Sequence, residues 1–186
     1  MNLSLANSKA TLAALCFGAC GALSAIFWTT DWHAALLPLV FYAILVLNTF
    51  FSVRVFSAII PKDNIVQNVI DIGIVVPLYF ILAFQFQNPL GFVATATALF
   101  AILVIKYSLL LNILPTHRRL LRKKIFVNTL GLLLLGASSL MVALGHTLFT
   151  PFFYTIIFAL ANIYLLTINP LYRLDNAVLD NARARQ

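Results

Sequence analysis

Arg54, Asp71 and Lys106 are ionisable residues set inside otherwise apolar runs of this chain. A charge at membrane depth costs roughly 2.5–3.5 kcal/mol even on insertion scales, so such side chains usually turn inward, pair, and mark paths for ions or solutes. Arg54 is seven residues before Pro61, Asp71 six after Ile65, and Lys106 nine before Pro115. At about 1.5 Å of rise per residue, each is roughly 9–14 Å from the same end of its helix. The three therefore share one layer. Gln67 and Asn68 extend the polar face of Asp71 towards that end, Asn162 falls in the same layer, and Asn128 is expected nearer the surface. Two cations and one carboxylate leave one positive charge over, suited to an anionic solute or a lipid phosphate. Helices consecutive in sequence are usually neighbours, which makes both Arg54 and Lys106 candidate partners for Asp71. Two bland readings compete with a transport site. Arg and Lys can snorkel to the headgroups from this depth, and an Asp71 pair can lock helices together without further function.

Other chemistry is thinly represented. His33 and His146 fall at one end and His117 at the other, so three histidines cannot converge; Asp31, His33 and His146 form the one set that could meet as a proton or metal site. Cys16 and Cys20, four residues apart in one apolar run, share a helix face and are no disulfide framework. Zinc-type Cys/His spacing, a helical His-x-x-x-His, a phosphate-cradling glycine loop and a nucleophile elbow are all missing from the sequence. The sequence therefore favours a protein without catalysis over an enzyme, and calls for no metal and no cofactor. The sixteen phenylalanines suit packing and lipid contact; a nucleic-acid platform would need them on a polar surface.

The elements that must position these residues are membrane helices. The 186 residues are 62% hydrophobic and 9% charged, with a mean hydropathy of +1.00. A soluble domain averages about 25% charged, so lipid must solvate this surface. Six apolar runs, at about 10–28, 34–60, 65–86, 91–114, 125–145 and 151–169, are each of spanning length. They predict an all-α, six-helix transmembrane bundle in one domain, followed by a short surface helix or frayed end at 171–186. A cleaved signal is the rival reading of the first run, which is longer than a usual signal core. Ala14, Gly18 and Ala22, at four-residue steps, suit close helix packing, and Pro77 is expected to kink the third helix. Pro61, Pro115 and Pro170 are 54 and 55 residues apart and each closes a helix that starts near Pro38, Pro89 or Pro151. That spacing fits three hairpins in series, and equally the ordinary gathering of prolines at helix ends.

The stretch from Pro115 to Lys124 carries Arg118, Arg119, Arg122, Lys123 and Lys124. A cluster of this kind stays on the cytoplasmic face. Lys9, Lys62 and the tail residues Arg173, Arg183 and Arg185 then fall on the same side, and the opposite connections hold no Lys or Arg. Both termini are thus expected in the cytoplasm, in a membrane such as the bacterial inner membrane. The net charge of +7 is assigned to orientation and to anionic lipid headgroups rather than nucleic acid. The five basic residues are expected on the headgroup surface, with Leu120 and Leu121 dipping towards acyl chains. Three functions remain open: a small transporter or channel working through the charged layer; a scaffold or accessory subunit that binds partner helices, a second copy of itself or anionic lipid; and, with the least in its favour, a membrane enzyme acting on lipid. In a chain with Cys16 and Cys20 replaced by serine, single cysteines at positions 31, 88 and 147 should react with an impermeant reagent added outside. Those at 62, 120 and 180 should not, and outside labelling at 120 would reverse the orientation.

Overall fold

The computed structural model describes residues 3–60 and 64–168. It is an all-α bundle of six helices, every one long and apolar enough to cross a membrane, as expected for an integral membrane protein. The helices are α1 (Leu3–Trp28), α2 (Trp32–Ile59), α3 (Ile65–Ala83), α4 (Pro89–Ile113), α5 (Arg118–Ala143) and α6 (Phe149–Ile163). α6 runs on into a π turn, Tyr164–Ile168. Lys62, Asn169, the surface helix expected at 171–186 and its arginines lie outside the described residues.

Three boundaries differ from expectation. α1 begins seven residues before the apolar run, because polar Ser4 and Ser8 are accommodated on its outer face and the Ser8 hydroxyl donates to the Ser4 carbonyl, 3.0 Å away. α3 ends at Ala83, three residues early. The basic stretch is not a loop: Pro115–His117 forms one 3-10 turn and α5 starts at Arg118. Arg, Leu and Lys are strong helix formers, and Pro115 stands where its missing N–H leaves no bond unmade.

Short polar side chains open the helices. Asp31 accepts from the backbone N–H groups of His33 and Ala34 at 3.0 and 3.2 Å, Asn64 from Gln67 at 3.2 Å and Asn88 from Gly91 at 3.0 Å. Each satisfies donors that the first turn would leave bare. At the same end as Asp31, the Gln87 amide donates to the Trp28 carbonyl and accepts from Thr30, both at 2.9 Å, tying two connections together.

α1 packs mainly on α2, and α4 mainly on α5; α6 closes against α2 and α5, and α3 against α1 and α4. The tight α4–α5 pair crosses a boundary between the hairpins proposed from proline spacing. In the half near Asp31, rings fill the interior. Phe41 lies 4.3 Å from Phe158 and 5.3 Å from Tyr154 by ring centroids, and Phe17 stacks on Tyr79 at 4.2 Å. The outward faces are apolar along the whole span, with Leu12, Ile26, Ile72, Leu133 and Ile156 all turned away from the bundle. An apolar exterior around a partly polar interior is the pattern that lipid, not water, stabilises.

The stripe of Ala14, Gly18 and Ala22 does not make the close helix contact. Gly18 has no neighbour within 4 Å of where a side chain would begin. The packed face of α1 is instead Ala6, Ala10, Phe17, Gly21, Ser24 and Ala25. Ser24 donates to the Ala83 carbonyl at 2.7 Å, and the buried Tyr42 ring lies over Gly21, where a Cβ would come within 2.6 Å of it. Gly131 gives the same clearance to Phe100 on α4. Overpacking of this kind typically costs about 1–3 kcal/mol. Gly21→Val and Gly131→Val should therefore lower the thermal midpoint in detergent by several degrees, while Gly18→Val leaves it unchanged within error.

Candidate functional site

Among the described residues every Lys and Arg lies in one half of the bundle: Lys9, Arg54, Lys106, Arg118, Arg119, Arg122, Lys123 and Lys124. That half is called the basic end below. Here the interior changes from rings to polar groups. Asn48 and Ser52 come from α2, Gln67 and Asp71 from α3, Lys106 and Tyr107 from α4, Lys124 and Asn128 from α5, and Asn162 from α6.

A break in helical geometry positions Asp71. The chain is α-helical over Ile65–Ile70, widens into a π turn at Asp71–Val75, and resumes over Val76–Ala83. The Val76 N–H reaches back to the Asp71 carbonyl, five residues away. Pro77 follows directly; it has no N–H for the Gly73 carbonyl, and its ring would crowd that oxygen in a regular helix. The expected distortion at Pro77 is thus taken up as a π turn on its N-terminal side. Such turns often occur at functional sites. This one begins at the single acidic residue of the basic end among those described.

Asp71 uses both carboxylate oxygens. Oδ1 forms an ion pair with the Lys106 ammonium, and Oδ2 accepts from the Gln67 amide at 2.9 Å. Of the two cations that depth allowed, the structure pairs Asp71 with Lys106. Arg54 is half-buried, and its buried Nε has no hydrogen-bond partner among the described residues. The Lys106 side chain is 11% exposed and that of Asp71 38% exposed, so the pair is shielded on the lysine side and accessible on the carboxylate side.

The pair sits in a wider network. Lys106 Nζ is 5.5 Å from the Tyr107 ring centroid, and Lys124 Nζ is 5.7 Å from the same ring, within range of cation–π attraction. The Tyr107 hydroxyl is 2.8 Å from that of Ser52, and Thr49 meets the Tyr79 hydroxyl. These bonds join α2, α3 and α4 around the pair. Two adjoining cavities meet at it. One, about 180 Å³, reaches the basic end and is lined by Lys9, Ser57, Gln67, Asn68, Asp71 and Lys106. The other, about 220 Å³, lies deeper and shares Ser52, Asp71, Lys106 and Tyr107 before continuing to Asn48 and Asn128.

Several expected positions shift. Lys124 is 3% exposed and lies inside, over Tyr107, instead of on the headgroup surface; Leu121 is wholly buried with Phe56, Leu110 and Leu114. Once the stretch is helical, residues 121 and 124 share one face, and that face is turned to α4. Arg118, Arg119, Arg122 and Lys123 remain outward. Asn128 and Asn162 are both buried, at 2% and 4% exposed, and Asn128 lines the deeper cavity together with Asp71 and Lys106. Ser52, Tyr107 and Lys124 belong to the site but carry no sequence signal that separates them from ordinary helix residues. The four-residue step from Asn48 to Ser52 was the available hint. Asp31 is occupied in capping α2, and no group of three His, Cys, Asp or Glu among the described residues could hold a metal ion.

No known protein family, curated protein or solved structure matches this chain.

Removing one member of a charged, hydrogen-bonded pair leaves the other uncompensated, which costs more than removing both. Asp71→Asn or Lys106→Gln alone should destabilise the protein by about 1–3 kcal/mol, the range for hydrogen bonds and unsatisfied groups of this kind. The double variant should recover part of the loss, while Asp71→Asn with Arg54→Gln recovers none. Thermal midpoints of the four variants in one detergent test the assignment.

Proposed function

We propose that this protein is a small multi-pass membrane transporter or channel whose path passes the Asp71–Lys106 pair in the cytoplasmic half of the bundle. The observation that supports the reading is the meeting of two cavities at an ion pair whose carboxylate is accessible, one of mixed lining open to the basic end and one deeper and mainly apolar. A pair serving only to lock α3 to α4 would be better closed off, because open polar volume beside it weakens the attraction. Among the described residues, Lys106 and Arg54 stand against the one carboxylate of Asp71, which leaves one positive charge over in this layer. An anionic solute is favoured over a cation on that ground. The confinement of every described Lys and Arg to this end supports placing it, and with it both termini, in the cytoplasm.

A second reading, a non-catalytic scaffold or accessory subunit, rests on the outward small-residue stripe at Gly18, which has no neighbour within 4 Å of its Cβ position among the described residues and would admit a partner helix or a second copy. Anion flux into proteoliposomes separates the two. Under transport, the parent protein carries anions, and the Asp71→Asn/Lys106→Gln double variant regains stability while flux stays at least tenfold below the parent. Absence of anion flux in the parent, with stable oligomers that Gly18→Val disperses, would favour the scaffold.

A further inference from the structure

A third cavity, the largest of the three described, lies beside the ion-pair site and not at it. It is a groove of about 490 Å³ between α5 and α6, walled by Phe126, Leu130, Leu134, Ile157 and Ala161. Its volume is within the range of roughly 300–1,000 Å³ that small-molecule sites occupy. The walls are apolar, but the end nearest the basic surface is not. Lys123 lines it there, and Asn128 and Asn162 lie within it.

The two asparagines are the reason to expect a particular occupant. Asn128 is 2% exposed and Asn162 4% exposed, and among the described residues neither the Asn128 Nδ2 nor the Asn162 Oδ1 has a hydrogen-bond partner. The Asn162 Nδ2 donates to the Phe158 carbonyl at 2.8 Å, which fixes the side chain with Oδ1 left over. A buried polar group left unsatisfied has lost its hydration without replacement, so each atom favours a partner from outside the chain. The groove thus asks for one acceptor, one donor, and an apolar body between its walls.

Direction along the helices supplies the rest. From Lys123 to Leu134 is eleven residues of α5, or about 16 Å of rise, close to half of a hydrocarbon core about 30 Å thick. The groove therefore runs from the basic surface to mid-membrane, the depth of one leaflet. Lys123 faces outward at its mouth, with Arg119 one turn nearer the surface on the same helix face. An occupant lying along it would carry an anionic head at Lys123, polar groups about a turn and a half deeper, and a single hydrocarbon chain between α5 and α6.

We propose that the α5–α6 groove is a binding site for a single-chain anionic glycerophospholipid, a lysophospholipid. Its phosphate meets Lys123. Its ester carbonyl accepts from Asn128 Nδ2, its free glycerol hydroxyl donates to Asn162 Oδ1, and its one acyl chain fills the apolar wall. The site stands without the transport reading, since neither Asp71 nor Lys106 lines it.

The full chain in nanodiscs of zwitterionic lipid should be labelled by lysophosphatidic acid bearing a diazirine in its acyl chain, and the crosslinks mapped by mass spectrometry. Crosslinks are expected at 126–134 and 157–165. Unlabelled lysophosphatidic acid should compete, and lysophosphatidylcholine, diacyl phosphatidic acid and inorganic phosphate should each compete at least roughly tenfold less well. Ala161→Trp, which fills the groove from a surface position, should cut labelling about tenfold; Ile157→Trp serves the same end if that protein fails to elute as a single species. Lys123→Gln should abolish the preference over the choline lipid, and Asn162→Leu the preference over the diacyl lipid. Labels spread over outward positions such as Leu12 and Ile72 and unaffected by either tryptophan would reduce the groove to ordinary boundary lipid and overturn the proposal. Equal competition by inorganic phosphate would replace it with a free-anion site, and equal competition by the diacyl lipid would remove the single-chain assignment.

Discussion

The Lys106 ammonium can remain in the interior because the Asp71 carboxylate meets it there. An ion withdrawn from water loses several kcal/mol of solvation even after the protein relaxes, and only a well-placed opposite charge with further hydrogen bonds offsets that loss. Among the described residues the other acid is Asp31, which caps α2 at the far end. Among the described residues Asp71 is therefore the one carboxylate in the half of the bundle that holds all the described Lys and Arg. The position of α3 against α4, the π turn that sets the carboxylate, and the Gln67 bond that holds its second oxygen all serve this one requirement.

The two halves of the bundle answer different demands. Near Asp31 the interior is aromatic and closely packed, and Gly21 lets the Tyr42 ring come up against the α1 backbone. That half has little freedom, because rings interlocked at van der Waals distance cannot move singly. Towards the basic end, hydroxyl, amide and ammonium groups stand beside a smaller apolar cluster of Phe56, Leu110, Leu114 and Leu121, and cavities open around the ion pair. Polar groups can change partners with one another or with solutes, so the open volume is located where exchange is chemically feasible. The aromatic half acts as the frame from which the polar half is hung.

Cavities in the basic half also share walls. Ser52, Asp71, Lys106 and Tyr107 belong to both ion-pair cavities, and Asn48, Phe100 and Asn128 join the deeper one to the α5–α6 groove. Asn128 thus faces two cavities, one continuous with the ion pair, the other open along α5 and α6. Occupation of the groove at Asn128 would be felt in the deeper cavity through that shared side chain, which gives a physical route by which a lipid could influence the charged site.

The architecture was legible from the residues because membrane helices obey a one-dimensional rule. A backbone in hydrocarbon must satisfy its own hydrogen bonds, so each apolar run of sufficient length becomes a helix regardless of its neighbours. The depth layer of Asp71 and Lys106 was legible for the same reason, since rise per residue is constant. What depth cannot supply is rotation about the helix axis and the choice of neighbour. Arg54 and Lys106 were equal candidates by depth, and only packing turned Lys106 to Asp71. The Ala14, Gly18 and Ala22 stripe pointed to a contact that α1 makes with a different face. Lys124 went inside because helix continued through the basic stretch and brought it over Tyr107. Composition and periodicity, which act along the chain, determined the six helices and their polar layer; pairing, rotation and cavities are set by side chains far apart in sequence, and only the folded bundle decides them.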